Sequence, residues 1–248
     1  MTRARIGRTL SAAVLAAVVS ATAVTTFAVG GAWGEASPRP MPADEPPARA
    51  QATGATRVSY PVSGSRRYRV ARGDGPVLGT RGTVLRFRVT IERDIAGLDP
   101  VAVAAFVEET LGDPRGWTAG HRWRFRRVGP GQKYDFVVYL ATPATRDALC
   151  HSVRDRYTSC RYGKRVVLNV ARWTRGVPHY RSSLTTYRRY MINHETGHFL
   201  GHGHELCPGA GRPAPVMLQQ TYGLHGCVAN SWPYRHGRRY QGRAGAYY

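Results

Sequence analysis

Lysine and acidic residues are scarce in this 248-residue sequence. Lys133 and Lys164 are the only lysines among 36 basic residues, and 15 acidic residues leave a net charge of +21. Because no zinc-finger, basic-zipper or RNA-recognition signature accompanies this charge, nucleic-acid binding is not expected. An anionic cell-wall polymer is a candidate partner, because a basic surface attracts polyanions.

Long uncharged segments are also rare. Only residues 10–34 are long and apolar enough to cross a bilayer, which excludes a multi-span membrane protein. Arg3, Arg5 and Arg8 precede this segment, as in an export signal. We therefore predict that residues 1–36 are a signal peptide or an N-terminal membrane anchor. Either one makes the remaining chain extracellular, in contact with the membrane only through this segment.

The remainder of the chain divides by composition into three parts. Residues 37–57 are rich in proline, which predicts an extended linker. Residues 58–234 contain alternating and continuous apolar runs, which predict one folded domain. Residues 235–248 are mostly Gly, Arg and Tyr, and we expect a basic tail with little to bury.

Hydropathy periodicity predicts an α/β (α+β) fold for the domain, with the last helix laid against a sheet. Asp99 is expected to cap a helix that Gly112 ends. Ser182 or Ser183 is expected to cap a longer helix that reaches about Leu200. Strands are predicted at residues 68–71, 83–92, 122–128, 135–141, 157–162 and 165–170.

The strongest chemical signal is a zinc motif on the longer predicted helix, made of His194, Glu195, His198, Gly201 and His204. Two histidines four residues apart lie on one face of a helix and can bind one metal ion. Glu195 can take a proton from a zinc-bound water. Gly201 lets the chain turn back, so that His204 can be the third ligand. Three protein ligands leave the fourth position to water, which predicts one catalytic Zn²⁺.

Exclusion narrows the choice of the third ligand. No Asp or Glu follows Glu205, so the candidates are His202, His204, Glu205, His225 and His236. His204 fits the turn after Gly201. His202 or Glu205 could instead fill the fourth position and make the zinc site closed and structural. The sequence leaves that alternative open.

All four cysteines follow the predicted export segment, and an even number there predicts two disulfides. Three pairings are possible. Closeness in sequence favours Cys150–Cys160 and Cys207–Cys227. The second bridge would tie the segment around Met217 to the end of the zinc helix.

The zinc motif resembles the extended motif of the metzincin metallopeptidases, and Met217, 13 residues after His204, resembles their Met-turn. Residues 193–222 are also similar to a family of exported actinobacterial proteins classed as zincin-like metallopeptidases, whose substrates are undefined. The resemblance implies a zincin-like fold: a mixed, mostly parallel twisted sheet, a long zinc-binding helix and an irregular C-terminal Met-turn region. It also implies that substrate lies along an edge strand, here near residues 157–162. Gln219 stands where some members of the clan have a tyrosine ligand, so that role does not carry over.

These observations predict an exported zinc metalloendopeptidase that hydrolyses polypeptides with Glu195 as general base. Two alternatives remain. One is a non-enzymatic exported module with a structural zinc and a basic surface that binds the cell wall. The other is a zinc amidase that acts on peptidoglycan.

Overall fold

A computed structural model describes residues 57–247. The predicted export segment, residues 1–36, lies outside the described residues, as does all but Arg57 of the predicted linker. Within residues 57–247, no helix has both the length and the hydropathy that a bilayer-spanning segment requires.

The described residues form a mixed α/β structure. The strands are β1 (Tyr68–Val70), β2 (Val77–Leu78), β3 (Thr83–Glu92), β4 (Trp123–Arg127), β5 (Phe136–Ala141), β6 (Cys160–Tyr162), β7 (Arg165–Asn169), β8 (Tyr234–Arg235) and β9 (Arg238–Arg239). The helices are α1 (Pro100–Gly112), α2 (Pro143–Cys150), α3 (Val170–Arg175) and α4 (Leu184–Phe199), with short 3-10 turns at Trp117–Gly120 and Pro178–Tyr180.

Seven strands form the main sheet, in the order β2-β4-β3-β5-β7-β6 with β1 beside β3. The central pairs β4–β3, β3–β5 and β5–β7 are parallel, whereas β1, β2 and β6 are antiparallel to their neighbours. The coarse prediction of a mixed, mostly parallel sheet in an α/β fold is therefore confirmed. The long strand β3 pairs with β4 through its first half and with β5 through its second half.

The two faces of the sheet have different partners. Alternate side chains of β3, β5 and β7, such as Phe87, Val138 and Leu168, pack with α1, α3 and α4 in the main core. We call this side the core face. The other side, the outer face, carries α2 and a small apolar cluster that includes Ala141 and Val167.

Side-chain caps explain where the two long helices begin. The Asp99 carboxylate accepts hydrogen bonds from the backbone N–H groups of Val101 and Ala102, at 3.1 and 3.2 Å. Ser183 Oγ accepts from the N–H of Thr186 at 3.0 Å, which selects Ser183 over Ser182 as the cap of α4. Sequence reasoning did not predict α2 or α3, which follow β5 and β7 directly.

Residues of the predicted basic tail contact the domain. Residues 238–247, here called the strap, run alongside the turn that follows α4. The N–H of Leu206 donates to the carbonyl of Arg243 at 2.8 Å, and that of Gly245 to the carbonyl of His204 at 3.1 Å. These backbone hydrogen bonds help to hold the strap, and composition does not indicate such bonds.

Candidate metal centre

Two histidines of α4 face the same side of the helix. The Nε2 atoms of His194 and His198 are 3.2 Å apart, as expected for residues one turn apart. Side-chain contacts orient both rings: Nδ1 of His194 donates to the carbonyl of Val216 at 2.8 Å, and Nδ1 of His198 to that of His202 at 2.9 Å. A carbonyl only accepts, so the proton is on Nδ1 and each Nε2 keeps its lone pair for a metal.

The turn after α4 brings in the third nitrogen. Gly201 has φ 93°, a left-handed conformation that glycine adopts readily, and it reverses the chain beyond the helix. His204 then lies with its Nε2 3.1 Å from that of His198. One ligand atom from each of His194, His198 and His204 lies within 4.8 Å of the other two.

These spacings fit a zinc ion. Nitrogen ligands at about 2.0–2.1 Å in tetrahedral geometry are about 3.3 Å apart. The two shortest separations in the triad are 3.2 and 3.1 Å. Burial lowers the pKa of His198 to about 4 and the pKa of His194 well below 6.5, so neutral imidazoles face one point.

Glu195 lies beside the triad in the same cleft. Its side chain is buried, and its Oε2 has no hydrogen-bond partner among residues 57–247. Burial raises the pKa of this carboxyl to about 8. A buried carboxyl oxygen without a partner is costly, which is typical of a group kept for chemistry rather than stability.

The alternative ligands are engaged elsewhere. The His202 ring stacks on Trp117, with centroids 4.5 Å apart, and the Glu205 carboxylate forms an ion pair with Arg239 of the strap at 2.7 Å. His225 stacks on Tyr247. Among residues 57–247, His194, His198 and His204 are the only group of three or more His, Cys, Asp or Glu residues with metal-binding spacing.

Met217 lies under α4. It is fully buried, and the carbonyl before it, of Val216, accepts the hydrogen bond that orients His194. Its own carbonyl accepts from the N–H of Glu205 at 3.1 Å. The Met217 segment therefore contacts the first and last parts of the zinc motif.

A cleft of about 330 Å³ opens at the triad. One wall comes from the edge strand β6 and the residues before it, and the other from the segment after Met217. The lining includes the triad, Glu195, Arg146, Asp155, Thr158, Ser159, Cys160, Arg161, Tyr190, Gln219, Thr221 and Tyr222. The regular part of the predicted edge strand is limited to Cys160–Tyr162.

The structure contains both disulfides that closeness in sequence favours. Cys150–Cys160 joins α2 to β6, with Cα atoms 6.4 Å apart. Cys207–Cys227 joins the chain after His204 to the chain after Met217, with Cα atoms 5.9 Å apart. Each bridge thus supports a different part of the site: the first supports the cleft wall, and the second supports the turn under the metal centre.

Sequence reasoning missed two charged residues that support the site. Arg146 of α2 is buried and binds Asp155 at 2.8 Å, which fixes the segment before β6 as a cleft wall. Arg239 pairs with Glu205, next to His204. With so few acids in the chain, each acid has many candidate arginine partners, and no local pattern selects the right one.

Comparison with known proteins identifies one matching family. The family model described as a protein of unknown function (DUF3152) matches residues 55–231, which include the triad, Met217 and all four cysteines. No curated protein and no solved structure matches the chain.

Proposed function

This chain belongs to the DUF3152 family, whose description assigns no function, and we propose that it is a zinc-dependent endopeptidase of the metzincin type. The proposal rests on one observation. Three imidazole Nε2 atoms converge beside Glu195, a buried carboxylate that lacks an Oε2 partner among residues 57–247. A structural zinc site does not need such a carboxylate, whereas hydrolysis requires a base.

His194, His198 and His204 are the residues that would hold the ion. Zinc bound by three imidazoles supplies Lewis acidity, which lowers the pKa of a water ligand and polarises a carbonyl oxygen. His202 and Glu205 are held by Trp117 and Arg239, which leaves the cleft beside the triad to water and substrate.

Glu195 is the proposed general base. It takes the proton of the attacking water as the new C–O bond forms, then delivers it to the amine as the C–N bond breaks. Beside a bound cation this carboxyl ionises more readily than burial alone allows, because the opposite charge offsets the cost of desolvation.

The edge strand β6 would set the direction in which an extended substrate binds. β6 is antiparallel to β7 at the border of the sheet, and Cys160 and Arg161 line the cleft. An extended polypeptide that adds to this edge would run past the triad, with main-chain hydrogen bonds to β6. This mode of binding favours unfolded or loop segments of proteins as substrates.

The finer fold assignment, a zincin-like fold, belongs to the same proposal. The antiparallel edge strand, the zinc helix α4 under the sheet and Met217 under the triad support it. The two disulfides support an oxidising compartment. We therefore propose that the protein is secreted, or anchored outside the cytoplasmic membrane by residues 10–34.

The test is hydrolysis of casein and of a quenched peptide library by the zinc-loaded full chain. Glu195→Gln removes the base but keeps the shape of the side chain, and we expect loss of at least 10²-fold in kcat with one zinc retained. Glu109→Gln, an exposed acid on α1, is the matched control and should retain full activity. An active Glu195→Gln variant would refute the proposed role of Glu195. Cleavage of peptidoglycan peptides but not of casein would favour the amidase.

A further inference from the structure

The outer face of the sheet has two unlike halves. Beyond β5, helix α2 and the apolar cluster around Val167 cover β7 and β6. On the other half, arginines replace the apolar residues. The outward-facing arginines of this half are Arg124 and Arg126 on β4 and Arg86 and Arg88 on β3. Arg165, at the start of β7, lies at the border between the two halves.

Strand register makes these arginines an array. Arg86 pairs with Arg126 across neighbouring strands, and Val137 separates Arg88 from Arg165. Neighbouring strands are about 4.8 Å apart, and every second residue along a strand is about 6.6 Å further on. The five arginines therefore share one surface, and the Cα atoms of neighbouring members are about 5–10 Å apart.

Few acids balance this charge. Asp135 approaches Arg86 at 3.5 Å and Asp74 approaches Arg126 at 4.0 Å, yet those two arginine side chains remain 46% and 45% exposed. The two lysines of the chain lie in the turns that lead into β5 and β7. Five arginines thus share two nearby carboxylates, Asp135 and Asp74.

Aromatic and carbonyl contacts hold several of the guanidinium groups in place. Arg88 lies over the ring of Tyr134 at 4.4 Å and donates to the carbonyl of Gln132 at 2.8 Å. Arg165 lies 5.3 Å from the ring of Tyr162. Side chains that are already ordered lose less entropy when they bind a ligand.

We propose that this outer arginine face binds a linear polymer that carries phosphate groups and is not a nucleic acid. The guanidinium fork matches the geometry of a phosphate and binds it with two hydrogen bonds. The surface is an open sheet rather than a cavity, so it suits an extended chain more than a small molecule. The metal centre is on the core side of the sheet, so this binding site does not depend on the proposed peptidase activity.

The experiment titrates the full chain with fluorescent inorganic polyphosphate at several salt concentrations. The test variant is R86Q/R126Q/R165Q. The control is R181Q/R212Q/R238Q, which removes the same charge from exposed positions outside the main sheet. We expect the test variant to bind at least 10-fold more weakly, with a slope of log K against log salt shallower by about 2, because about 0.7 is lost per phosphate contact. The control should stay within about twofold of wild type.

Equal losses in both variants would overturn the proposal, because net charge rather than this face would then determine binding. Tighter binding of heparin or duplex DNA than of polyphosphate would also overturn it. If thermal melting finds the triple variant unfolded, R126E against R212E repeats the comparison with one exposed residue each. There too, only a loss of polyphosphate binding confined to R126E supports binding at the outer arginine face.

Discussion

Met217 packs directly against Gly197, inside the turn of α4 that carries His194 and His198. A Cβ atom on Gly197 would overlap Sδ of Met217 and come within 2.7 Å of the Trp117 ring. The glycine therefore lets the methionine lie directly beneath the zinc helix. Since Val216, the neighbour of Met217, orients His194, displacement of Met217 would be transmitted to a ligand.

Gly197→Ala tests this contact. In an exposed helix this change would stabilise by up to about 1 kcal/mol. Here the added Cβ would overlap with Met217 and Trp117. The substitution should therefore lower the free energy of unfolding by about 1–3 kcal/mol instead of raising it. We also expect weaker zinc binding. The measurements are chemical denaturation and zinc retention against a chelator. Gly203→Ala is the control, because its Cβ would meet no heavy atom within 4 Å. If the Gly197→Ala and Gly203→Ala variants were equally stable, the close contact between Met217 and Gly197 would be refuted.

His204→Ala tests the third ligand. Loss of one of three imidazoles should leave the chain without stoichiometric zinc after dialysis, measured by metal analysis. His202→Phe is the paired change: it keeps an aromatic ring against Trp117 and should retain one zinc per chain. The reverse result, with zinc lost only from the His202 variant, would assign the third ligand to His202.

Arg239→Gln tests the strap. Arg239 and Glu205 are both mostly buried, and removal of one partner from such a pair leaves an uncompensated charge that costs about 3–5 kcal/mol. Because Glu205 follows His204, zinc affinity should fall as well. Arg189→Gln breaks the more exposed pair with Glu109 and should cost under about 1 kcal/mol. Thermal melting measures the stability of both variants. If Arg239→Gln and Arg189→Gln lost similar stability, the strap would not be a support of the metal centre.

Removal of each disulfide should have a different effect on the protein. Replacement of Cys207 and Cys227 by Ser should remove about 2–4 kcal/mol of stability and weaken zinc binding, because this bridge joins the two chains around the metal centre. Replacement of Cys150 and Cys160 should raise KM while zinc is retained, because that bridge supports the cleft wall. If zinc were lost on replacement of Cys150 and Cys160 but retained on replacement of Cys207 and Cys227, these separate roles of the two disulfides would be refuted.

Much of the site could be predicted because its geometry is local. Spacing along one helix places His194 and His198, and a single left-handed glycine, Gly201, places His204. Likewise, alternating side chains were enough to predict β3 and its bounds. In these segments the local pattern and the tertiary structure agree.

Other elements depend on contacts that no local pattern contains. Helix α2 is short and polar, and the residues that it buries include Arg146, which pairs with Asp155. The strap has no apolar run, and its ion pair between Arg239 and Glu205 links residues 34 apart in sequence. Both depend on ion pairs that form only in the folded chain.

The most direct measurement is X-ray absorption spectroscopy at the zinc edge on the zinc-loaded chain. We predict three imidazole nitrogens at about 2.0–2.1 Å and one further oxygen from solvent, with that oxygen replaced when hydroxamate is added. A site with four protein ligands and no response to hydroxamate would contradict an open catalytic centre.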